Sequence, residues 1–173
     1  VLAKLYLFIV AHHFLSQSYG IFKLYCLKAD LVISAQLNKL IKVIIGLTAT
    51  YWCSTLLTAH QVTQVFLLQE LPEWPLLPAQ FSATLLEVLI LLCTYFVARL
   101  VLDFCRGERV PPFPAVVMLS FCVVLFMVPE FIQDSIWLYA PAFFHGVQYL
   151  AVLYKRLSAR SAKHAGLTIF KSA

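Results

Sequence analysis

Charge is what this chain has least of. Only 12% of its 173 residues are Asp, Glu, Lys or Arg, against 62% apolar, and the mean hydropathy is +0.86. Soluble domains carry about 25% charged residues, so a water-soluble fold of this length would lack the polar side chains to cover itself. The five cysteines, Cys26, Cys53, Cys93, Cys105 and Cys122, form no CxxC pair, which leaves neither a disulfide framework nor a cysteine zinc site to expect. A Walker loop, a dinucleotide fingerprint, a GxxxG pattern, internal repeats and low-complexity segments are missing too. The chain opens on Val1 with no basic leader and cleavage site, so it is expected to be incomplete at its N-terminus.

What is there is a set of apolar runs long enough for a hydrocarbon core, which takes about 20 helical residues. They predict an all-α fold: a polytopic transmembrane helix bundle, one membrane domain over residues 1–173 with about five spans. The spans are expected at 2–26, 40–60, 81–102, 113–128 and 136–154, followed by a basic tail at 155–173. Pro72, Pro75 and Pro78 cannot continue a helix, so 67–80 reads as an outer loop with Trp74 at headgroup depth. Pro111, Pro112 and Pro114 open the fourth span, where a missing N–H costs least.

The basic residues test this division independently. Lys23, Lys28, Lys39 and Lys42 flank the first connection, Arg99, Arg106 and Arg109 the third, and Lys155, Arg156, Arg160, Lys163 and Lys171 occupy the tail, so twelve of the thirteen fall on one side, with Lys4 the exception. The opposite connections hold Glu70, Glu73, Glu130 and Asp134 and no Lys or Arg. Basic residues near span ends favour the cytoplasm, which predicts an outside N-terminus and a cytoplasmic tail. The net charge of +5 then implies orientation and contact with anionic lipids, not nucleic acid.

Inside hydrocarbon a strongly polar side chain costs on the order of 2–3 kcal/mol, so each one needs a partner or a task. The first span carries His12, His13, Ser16 and Gln17, with His13 and Gln17 four residues apart on one face. The fifth repeats the arrangement in His145 and Gln148, and Pro141, four residues before His145, is expected to bend that helix. His13 and His145 lie about twelve and nine residues from the outer ends of their spans. At about 1.5 Å per residue their depths agree within about 5 Å. Glu87 enters the third span from the same side, and His60 and Glu130 lie near the outer ends of the second and fourth.

Three roles compete for this set. In the first, His13, His145 and His60 are metal ligands, Glu87 is the catalytic carboxylate, and His12, Gln17 and Gln148 support the cofactor, the glutamines by orienting imidazoles. Non-haem iron is the expected metal, for oxygenase or desaturase chemistry on a lipid or isoprenoid, although the HxxxH and HxxHH boxes of membrane desaturases are absent. In the second, the histidines bind haem or a chlorophyll-type pigment in an accessory subunit of a larger membrane complex. In the third, the His and Gln pairs are hydrogen-bonding glue between helices, worth about 0.6–2 kcal/mol each. Glu70, Glu73 and Asp134 read as solvated loop charges, and Arg99 with Asp103 as an ion pair at the inner end of the third span.

Overall fold

The computed structural model describes residues 2–58, 65–66, 69–70, 76–131, 140, 142–150, 153–154 and 157. Four long helices, α1 (Leu2–Lys28), α2 (Ala35–Leu57), α3 (Ala79–Cys105) and α4 (Phe113–Phe131), are followed by a fifth, α5, at residues 142–150. The helices are interrupted only by a minimal antiparallel pair among the described residues, β1 (Val65–Phe66) against β2 (Gln69–Glu70), in the connection from α2 to α3. The fold is therefore helical, and α2 and α3 are long and apolar enough to cross a membrane.

The boundaries depart from expectation by a few residues, for local reasons. The first connection is shorter than the lysine-bearing stretch suggests, because Ser34 caps α2 by accepting the Leu37 N–H at 3.2 Å and starts the helix at Ala35. α1 ends in a reciprocal backbone cap: Leu31 N–H donates to the Cys26 carbonyl, Asp30 N–H to that of Leu27, and Asp30 takes φ +49°. α3 ends in the same way, with Glu108 N–H on the Asp103 carbonyl, Gly107 N–H on that of Phe104, and φ +72° at Gly107. α4 opens on Pro112, whose carbonyl receives Ala115 and Val116, and carries on through Pro129 to Phe131. The Leu57 carbonyl accepts both Leu76 and Leu77 N–H, which closes the proline-bearing connection where it began. Pro72, Trp74, Pro75, Asp134, Pro141 and the tail from residue 158 lie outside the described residues.

α1 packs on α2 and α4, and α2 packs on α3 and α4. The α1 stripe that makes this core is Ala11, Leu15, Ser18, Phe22 and Cys26, at helical spacing and all buried. It meets Ile41, Ile45, Ala49 and Trp52 of α2 and Leu119, Cys122 and Phe126 of α4, with Trp52 and Phe126 edge to face at 5.4 Å. The Tyr19 hydroxyl donates to the Asn38 side chain across α1 and α2. α3 is different. Only Ser82, Leu89 and Phe96 of it are buried, and just 11% of its most apolar stretch is covered by the rest of the chain.

Several Ser and Thr hydroxyls on α2 and α3 bond within their own helix. Thr48 donates to the Ile44 carbonyl at 2.8 Å, Thr50 to Gly46 at 2.9 Å, Ser54 to Tyr51 at 2.7 Å and Thr94 to Ile90 at 2.8 Å. Such back-bonds satisfy a hydroxyl without water, which suits an apolar medium.

Candidate functional site

The polar residues of α1 divide between its two faces. Ser18 belongs to the core stripe, Gln17 is half-buried, and His12, His13, Ser16 and Gly20 lie exposed on the far side. This division follows from the apolar pattern: once the Ala11–Leu15–Phe22 stripe faces α2 and α4, residues one or two positions off it are turned away.

α5 packs at the edge of that exposed face. Its His145 ring stacks on Phe14 of α1 with centroids 4.2 Å apart and planes 24° apart, and stands edge-on to His13 at 5.5 Å and 63°. Phe144 meets Phe121 of α4 edge to face at 4.6 Å, so α5 is held from two sides. The His145 Nδ1 is buried and has no hydrogen-bond partner among the described residues. Phe14 fixes the plane of the His145 ring, and His13 reaches it from one residue earlier on the same helix.

The structure thus brings together two of the residues singled out in the sequence, His13 and His145. The other described candidates are placed elsewhere. Gln148 is buried, but its amide faces the Met118 sulfur of α4 at 3.9 Å instead of an imidazole. Gln17 lies one turn beyond His13, and His12 points away from the core. Glu87 is exposed on α3, a helix whose main packing among the described residues is on α2. His60 lies outside the described residues, as does the side chain of Glu130. Among the described residues no group of three or more His, Cys, Asp and Glu converges on a common point.

Separation decides what two such rings can share. A metal–imidazole bond of about 2.0–2.1 Å puts the ring centroid about 3.2 Å from the ion. Rings on opposite sides of one metal are then about 6.4 Å apart, and rings at a tetrahedral to trigonal angle about 5.2–5.5 Å. The observed 5.5 Å belongs to the second case. It is compatible with two neighbouring ligands of one ion and equally with an ordinary edge-to-face ring contact, which spans about 4.5–7 Å.

Sequence reasoning missed Phe14 and Met118. Phe14 is signalled only by its place beside His13, and nothing in the local sequence marks Met118, whose role depends on where α4 meets α5. Compared with protein-family models, curated proteins and solved structures, the chain matches none.

Proposed function

We propose that this chain is an integral membrane protein, a bundle of five crossing helices, that holds a transition-metal ion at the seam of α1 and α5 through His13 and His145. The 5.5 Å spacing of the two imidazoles carries the reading. Neutral imidazoles with coordination positions left open are a donor set of non-haem iron. His13 is exposed on the bundle surface, so the open positions face the bilayer, from which an apolar substrate would arrive. The activity class that follows is oxidoreductase chemistry on a lipid or isoprenoid. Exposed apolar helix surface and self-satisfied hydroxyls support the membrane setting, and the alternation of basic residues supports a cytoplasmic C-terminal tail.

The test is metal and absorption analysis of the gently solubilised protein. Wild type and His12→Ala are expected to retain stoichiometric iron without a strong visible band, while His13→Ala and His145→Ala lose it. A haem or chlorophyll spectrum, or equal metal content in all four proteins, would overturn the assignment.

A second reading, an accessory subunit of a larger membrane complex, is favoured by α3. Its apolar surface is largely uncovered and carries Glu87 outward, and a carboxylate in hydrocarbon calls for a partner on a neighbouring helix. Both readings hold together if the complex supplies that helix.

A further inference from the structure

α3 and α4 both lean on α2, yet share no comparable interface with each other. The gap between them is a groove of about 310 Å³ walled by Ile41 and Ile45 of α2, Phe96 and Val97 of α3, and Leu119 and Val123 of α4. Its lining is almost wholly apolar, and the Thr94 hydroxyl on it is held by the Ile90 carbonyl of its own helix. Water gains nothing there, and hydrocarbon does.

At one end of the same three elements lies a second cavity, of about 420 Å³ and quite different chemistry. Asp30 and Ser34 reach it from the α1–α2 connection, Arg99 and Asp103 from the end of α3, and Glu108 and Arg109 from the α3–α4 connection. Leu37 borders it one turn before Ile41, and Arg99 one turn after Phe96, so the polar cavity begins about one helical turn from the apolar groove. Arg99 is neutralised by Asp103, Nε to carboxylate at 2.9 and 3.0 Å. Arg109 has no carboxylate partner among the described residues, and neither Asp30 nor Glu108 has a cation. Among the described residues, the cavity thus offers one guanidinium and two carboxylates outside an ion pair.

We propose that this composite is a phospholipid site that takes a glycerophospholipid with an ethanolamine-type head: phosphate on Arg109, primary ammonium between Asp30 and Glu108, and one acyl chain in the groove between α3 and α4. A guanidinium binds phosphate oxygens in a fork, an ammonium supplies three donors to carboxylates, and the apolar groove begins within about one helical turn of the head cavity. An anionic head without an ammonium would leave both carboxylates facing it. A choline head carries no N–H to give them.

The inference rests on the membrane reading but not on the histidine site. Its test is native mass spectrometry of the full chain in mild detergent, titrated with phosphatidylethanolamine, phosphatidylglycerol or phosphatidylcholine, with soluble glycerophosphoethanolamine as the head-only control. One phosphatidylethanolamine per chain is expected to be retained about tenfold more strongly than either other lipid, with the control not competing. Arg109→Gln is expected to weaken retention about tenfold, the loss of one charge-assisted contact. Val97→Trp, at an exposed wall position that can enlarge without disturbing the core, is expected to abolish it. Equal retention of the three lipids, or retention unchanged in both variants, would overturn the site. A chain that fails to fractionate with membranes would instead overturn the membrane reading, so the two failures are distinct.

Discussion

Tyr19 and Asn38 show what one polar contact does in a helix bundle. Tyr19 is half-buried, and its hydroxyl meets the Asn38 side chain one turn into α2, tying the two helices near their short connection. Interhelical hydrogen bonds in membrane proteins contribute about 0.6–1.7 kcal/mol, because the unfolded chain in lipid finds other partners. Tyr19→Phe is therefore expected to lower stability in detergent by about that amount, measured by thermal unfolding, and to leave unchanged any metal content that the proposed His13–His145 site confers. The same scale explains the division among the histidines. His12 and His13 are neighbours in sequence, but a helix turns about 100° between them. Only His13 comes to the side where His145 arrives.

The ends of α1 and α3 illustrate how short signals set whole elements. Both helices stop in the same cap, with a left-handed residue, Asp30 in one and Gly107 in the other. Gly107 is the more informative because a Cβ there would meet nothing within 4 Å. Gly107→Ala then costs only the left-handed backbone of a residue with a side chain, about 1–2 kcal/mol. That loss is expected in thermal unfolding of the variant, with no change in helix content by circular dichroism. A larger loss with frayed α3 would mean that the cap also holds the connection to α4. α4 makes the complementary point: Pro129 lies within its last turn and does not end it before Phe131.

For the whole molecule, the arrangement of basic connections becomes a prediction about sidedness. The α1–α2 and α3–α4 connections meet at one end of the bundle, where both border the polar cavity. Cys105, at the last turn of α3, is exposed at that end, whereas Cys26 and Cys122 are buried. In intact cells a membrane-impermeant maleimide is expected to leave Cys105 unlabelled, and to label it once the membrane is opened. Labelling before lysis would reverse the orientation drawn from the lysines and arginines.

The sequence by itself determined that the chain is helical and where its long helices lie, because hydropathy over some 20 residues, proline placement and capping are local properties. It also located the two histidine–glutamine stretches, since a polar residue in an apolar run stands out without any knowledge of its neighbours. Only the tertiary structure decided which of these groups meet. Depth along a helix can be counted, but rotation about its axis and the identity of the adjacent helix depend on which stripe wins the core. The Ala11–Leu15–Phe22 stripe won on α1 and left His13 beside α5. Among the described residues α3 packs mainly on α2, which turned Glu87 outward and opened the groove beside α4; Gln80, Thr84, Glu87 and Thr94 mark the exposed face of α3 in the sequence, but they do not say which helix covers the other face.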